Sequence, residues 1–117
     1  MDTIFISDLR LDILVGVYDW EKKVPQTVQF DLEIGLPRGA AQSGKLGDTI
    51  DYAAVVARIQ ASLEENRFEL LETLAEHIAQ LVLHEFKAPW VKVSVAKLAA
   101  LKGVKRLGIA IERGSKQ

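Results

Sequence analysis

Apolar residues recur with two different periods along this chain. Leu9, Leu11, Ile13 and Val15 alternate with more polar neighbours, the two-residue period of a half-buried strand. Ile4, Phe5 and Ile6 begin that strand, with a break near Asp8. Val28, Phe30, Leu32 and Ile34 form a second alternating run, Val91, Val93 and Val95 a third, and Leu107, Ile109 and Ile111 a fourth. Between the second and third runs the period lengthens. Val55, Val56, Ile59 and Leu63 make the apolar face of a helix that starts near Asp51, a residue suited to the N-cap. Leu71, Leu74, Ala75, Ile78, Leu81 and Val82 predict a second helix over about 70–86. Pro89 forbids its continuation, and Asn66 to Glu69 break the chain between the two helices.

The order is strand, strand, helix, helix, strand, strand. Without βα alternation a parallel sheet is disfavoured. The economical arrangement is α+β: one four-stranded antiparallel sheet with both helices packed on one face. The whole chain, residues 1–117, reads as a single domain. Such a sheet has two exposed edges, and edges are usually protected or paired. Pairing them around a rotation axis would close several protomers into a barrel.

Two connections are irregular. Gly16 to Gln26 is too long for a tight turn and holds Pro25, and a loop of that size in so small a domain is a candidate for function. Gly35, Pro37, Gly39, Gly44 and Gly47 punctuate the other, from about 35 to 50.

Composition narrows the chemistry. The 15 basic and 16 acidic residues leave a net charge of -1, which gives no case for nucleic acid or an anionic membrane as partner. No apolar run approaches the ~20 residues of a bilayer span, and the N-terminal Met1-Asp2-Thr3 lacks a signal-peptide pattern, so a cytoplasmic enzyme is expected. There are no cysteines, which removes disulfides, thiolate nucleophiles and cysteine-ligated zinc. His77 and His84 lie about two helical turns apart but have no third ligand nearby; they read as surface or helix-flank residues, and no metal or cofactor is expected. Neither a P-loop nor a GxGxxG after a strand is present.

Four single residues at element ends remain. Glu21 sits in the long loop and reads either as a solvated carboxylate or as a working one. Tyr52 opens the first helix, as a packing aromatic or a functional phenol. Glu72 stands at the start of the second helix, where a carboxylate also gains from the helix dipole. Lys97 takes the apolar phase of Val91, Val93 and Val95, yet it is charged.

In order along the chain, Gly16-Val17-Tyr18-Asp19-Trp20-Glu21, Asp51-Tyr52, Phe68-Glu69-Leu70-Leu71-Glu72, Pro89-Trp90-Val91, Lys97 and Ile111-Glu112-Arg113-Gly114 resemble the bacterial dihydroneopterin aldolase family. The similarity runs from about residue 2 to 114. It implies the tunnelling fold, in which four protomers close their sheets into a barrel and two rings often stack, giving a homo-oligomer (tetramer or octamer) with active sites between protomers. It also implies a small-molecule pterin substrate. Glu72 matches the carboxylate that grips the pterin ring, and the backbone near Leu71 adds donors to the ring oxygen. Tyr52 would come from the adjacent protomer, Glu21 would face the hydroxylated side chain, and Lys97 would be the acid/base lysine. One stretch departs from the pattern. After Lys97 the sequence Leu98-Ala99-Ala100-Leu101-Lys102 looks more like the related dihydroneopterin triphosphate epimerases, and Lys102, Lys105 and Arg106 could then serve phosphate.

Overall fold

The computed structural model describes residues 1–116. Its elements are β1 (Thr3–Ile13), β2 (Gln26–Gly35), a short α1 (Ala40–Ser43), α2 (Tyr52–Glu65), α3 (Leu71–Glu85), β3 (Trp90–Leu101) and β4 (Val104–Gly114). The strands pair in the order β1-β2-β3-β4, every pair antiparallel, as a meander interrupted by the helices. α3 packs over β3 and β4, and α2 reaches β1.

The alternation of each strand sets which face the helices cover. Val28, Phe30, Leu32 and Ile34 of β2 stand beside Val91, Val93 and Val95 of β3, all buried against α2 and α3. From the helices come Val55, Ile59, Leu74, Ala75, Ile78 and Val82. The opposite face of the sheet carries Asp31, Glu33, Lys92 and Ser94, the polar phase of the same strands. No element covers it among the described residues.

The break expected near Asp8 is a β-bulge. Ile4 and Ile6 pair with Ile34 and Leu32, the register shifts, and Leu9, Leu11 and Ile13 pair with Phe30, Val28 and Gln26. An apolar phase that is even before Asp8 and odd after it needs one extra residue to keep both halves on the same face. Asp8 supplies it with a left-handed φ of 57°, and its N–H donates to Asp31 Oδ1 at 2.8 Å.

Asp51 is the N-cap of α2, with Oδ1 accepting from the N–H groups of Ala53 and Ala54 at 3.1 and 3.3 Å. Two boundaries differ from the sequence reading. Val15 leaves β1 and instead bridges to Phe68 in the break before α3. β3 does not end at Lys97 but runs to Leu101, making a two-stranded arm with β4 beyond the last partner that β2 offers, Val28 opposite Lys97. The Leu98–Leu101 stretch is thus strand, folded back through Lys102-Gly103, where Gly103 takes a φ of 82°.

Candidate active site

Lys97 keeps the inward phase of β3, but by that point the strand has run past the apolar core. Its ammonium lies 2.5 Å from Glu21 Oε2, with side-chain exposures of 16% and 4%. The carboxylate belongs to a 3₁₀ turn, Asp19–Lys22, that folds the long loop back over the start of β2. Of the two single-residue readings of Glu21, solvated or working, the solvated one fails. At 3% exposure it is a buried charge, and a buried charge requires partners.

Those partners are close. Gln26 Nε2 donates to Glu21 Oε2 at 2.9 Å and to the Val15 carbonyl at 2.8 Å, so one amide ties the carboxylate to the end of the preceding segment. The Tyr18 N–H donates to Oε1 at 3.3 Å. Burial by itself would push the Glu21 carboxyl up. The hydrogen bonds from Lys97, Gln26 and Tyr18, with the charge of Lys97, outweigh it and hold the group below the usual carboxylate range. Gly16, at a φ of 131°, backs directly onto the same carboxylate, and a methyl group there would collide with it.

The loop is latched to the segment that leads into α3. The Gly16 N–H donates to the Phe68 carbonyl at 3.2 Å. Arg67 donates to the Lys22 carbonyl at 2.8 Å, and Lys22 lies 3.7 Å from Glu69. A cavity of about 340 Å3 opens between Leu14–Gly16 and Arg67–Glu69, with Glu21 and Lys22 in its wall. α3 starts two residues beyond Glu69, and Glu72 is exposed in its first turn. Leu70, the N-cap, makes no side-chain cap, so the opening N–H groups of α3 are left for water or a ligand. Leu71 is buried in the core, and only its backbone can face outward.

The structure therefore joins Glu21 to Lys97 directly and brings the Glu72 turn to the same end of the molecule. It leaves Tyr52 apart. That side chain is 62% exposed, which removes the packing-aromatic reading within one chain. Among the described residues it makes no hydrogen bond to Glu21, Lys97 or Glu72. Gln26 was missed from sequence, although it carries a signal: it is polar on the apolar phase of Val28, Phe30 and Leu32. The histidine reading holds only for His84, which is exposed beside Gln80 Oε1 at 2.9 Å. His77 is half-buried between α2 and α3 and meets Ser62.

A four-stranded antiparallel meander carrying two helices on one face is the subunit architecture of the tunnelling fold, and this chain places a buried acid–lysine pair where the sheet outruns its core. A model of the dihydroneopterin aldolase family matches residues 4–112, and the chain belongs to that family. The dihydroneopterin aldolase of Escherichia coli K12 is 37% identical over 116 residues, covering 98% of this chain and 95% of that protein. The crystal structure of the E. coli dihydroneopterin aldolase in complex with neopterin superposes with a TM-score of 0.90 at 37% identity, over 97% of this chain and all of that one (100%). A dihydroneopterin triphosphate 2'-epimerase of Pseudomonas aeruginosa is 30% identical over 112 residues, 95% of this chain and 91% of that protein.

Proposed function

We propose that the protein is a carbon–carbon lyase of folate biosynthesis, cleaving dihydroneopterin by a retro-aldol step into hydroxymethyl-dihydropterin and glycolaldehyde. The observation that carries this reading is the buried pair of Glu21, in the loop latched to the α3 entrance, with Lys97 of β3. Retro-aldol chemistry needs a group that takes a proton from a hydroxyl, and a place for the electrons of the broken bond. The dihydropterin ring holds a C=N bond beside the breaking carbon–carbon bond. The electron pair moves into that imine as the aldehyde carbonyl forms, and a proton then returns to carbon. The protein has to hold the ring and move protons.

Each residue has a part in that scheme. Glu72 takes two parallel hydrogen bonds from the ring amide and exocyclic amine, and the uncapped backbone at Leu71 donates to the ring oxygen. Lys97 moves the proton, with Glu21 fixing its ammonium and facing the hydroxylated side chain. Tyr52 is the second proton handler and is supplied by a neighbouring protomer, which its isolation and exposure within one chain support. The protein acts as a homo-oligomer, a tetramer or octamer, in the cytoplasm.

The test is product analysis with dihydroneopterin and its triphosphate side by side. Release of hydroxymethyl-dihydropterin from dihydroneopterin is expected; no conversion of either substrate overturns the reading. A second reading, triphosphate epimerisation, is favoured by one observation. The basic β3–β4 arm starts at Lys97 and carries Lys102, Lys105 and Arg106, all exposed. Preferential conversion of the triphosphate would select it.

A further inference from the structure

Ser62 and His77 take no part in the chemistry above, yet a buried Ser62 and a half-buried His77 form a polar pair behind the cavity wall. Ser62 is 2% exposed, on the α2 face that also buries Val55, Ile59 and Leu63. A hydroxyl placed there needs a partner. It finds His77 Nε2 on α3 at 2.5 Å. The Ser62 carbonyl accepts from the N–H and side-chain amide of Asn66, at 3.0 and 2.9 Å, and so fixes the start of the break between the helices. The imidazole also lies against the Phe68 ring, with centroids 5.1 Å apart and planes tilted 45°. Phe68 lines the cavity, and its carbonyl is the one that holds the Gly16 N–H. Gly16 in turn seats the Glu21 carboxylate. An unbroken series of contacts thus runs from Ser62 through His77, Phe68 and Gly16 to Glu21.

We propose that His77 is a positioning residue: clamped by Ser62, its ring fixes Phe68, and through Phe68 the Gly16 backbone on which Glu21 is seated. The inference rests on the reading of Glu21 as part of the active site. The clamp has a preferred protonation state. With Nε2 unprotonated, Ser62 donates to it and can accept the weaker 3.5 Å contact from Asn66. A proton on Nε2 would reverse the bond and leave the buried hydroxyl hydrogen to find another acceptor. Charged groups around the ring reinforce this balance. Burial disfavours the imidazolium most, Arg58 on α2 adds to it, and Glu85 on α3 opposes it while pairing with Arg58 at 2.8 Å. Arg67 and Glu69 of the break turn instead to Lys22, and Glu76 of α3 turns to Arg113. A histidine whose neutral form the fold favours contributes fully above its unfolded value of about 6.5 and loses that contribution as pH falls through the lower folded value. The clamp is therefore expected to loosen in mild acid.

Amide hydrogen exchange reads the clamp without substrate. Gly16 is the reporter, core amides of Phe30 and Val93 are the internal controls, and rates are corrected for the intrinsic effect of pH. At about pH 7, His77→Leu and Ser62→Ala are expected to speed Gly16 exchange by up to about tenfold relative to the controls, the size of one hydrogen bond's worth of local order. His77→Gln keeps a side-chain acceptor, so it should retain protection while losing the acid response expected of the wild type as pH falls below the unfolded histidine value of about 6.5. Unchanged Gly16 protection in Ser62→Ala, which removes a single atom and leaves the core intact, overturns the proposal even if His77→Leu fails to fold. So does an undiminished acid response in His77→Gln. Loss of kcat for dihydroneopterin should follow the loss of protection; a protein that passes the exchange test but forms no product keeps the clamp and sinks the assigned activity instead.

Discussion

At Glu21 a carboxylate is nearly sealed from water and survives as an ion because Lys97, Gln26 and the Tyr18 N–H surround it. Removing one partner of such a pair leaves the other stranded. Lys97→Ala should cut turnover sharply while leaving pterin affinity near the wild-type value, and should destabilise the fold by about 3 kcal/mol. Kinetics, equilibrium pterin binding and urea denaturation measure the three effects; near-normal turnover in the folded variant would take Lys97 out of the mechanism. Because the carboxyl is held low, its stabilising contribution is complete above its unfolded value and disappears as acid titrates it through the folded one. That acid-side fall in stability should shrink in Lys97→Ala. Glu72→Ala tests the opposite division of labour: two charge-assisted hydrogen bonds, each worth about 1.5–3 kcal/mol, should vanish from binding. An unchanged pterin affinity would contradict the anchoring role. Gly16→Ala places a methyl against the Glu21 carboxylate at a φ that side chains rarely adopt. It is expected to displace Glu21 and lower kcat with little change in the sheet, as circular dichroism and kinetics together would show.

Elements follow from local chemistry wherever one face is buried. The Asp51 cap fixes where α2 starts and so where Tyr52 projects. Asp51→Ala should cost about 1 kcal/mol of stability by denaturation; a loss near zero would mean that packing alone sets the helix start. A break at Asp8 was legible in the sequence, and the structure shows it to be a bulge: the apolar residues change parity across it, and parity is what decides the face of a strand. The strand end at Lys97 was misread for a related reason. A lysine on the apolar phase signals the end of the core, and the strand continues past the core as an arm paired only with β4. Val15 was misread because its partner, Phe68, lies across the fold and no periodicity announces it.

At the scale of the molecule, among the described residues, β1 and β4 each leave a long outer edge unpaired, and the face of the sheet opposite the helices is bare. A site that takes Tyr52 from one protomer and Lys97 from another makes a prediction independent of geometry within the chain. Tyr52→Phe and Lys97→Ala, each impaired alone, should recover activity when unfolded and refolded together, because some sites in the mixed oligomer receive both native residues. Sedimentation of the same mixture should show the assembled species. Recovery absent from a properly assembled mixture would place both residues in one protomer's site.

Periodicity and punctuation in the sequence were enough for the order of elements along the chain, the antiparallel sheet, the two long helices and the Asp51 cap, because burial on one face of a strand or helix imprints a repeat that any stretch of chain carries by itself. What no repeat carries is a contact between residues 76 positions apart. That Glu21 is buried rather than solvated, that it grips Lys97, that Gln26 and Gly16 seat it and that His77 backs the wall all depend on a loop folding over the end of a sheet. Such a loop owes its conformation to the few polar groups it must satisfy at its destination, and only the tertiary structure brings those groups together.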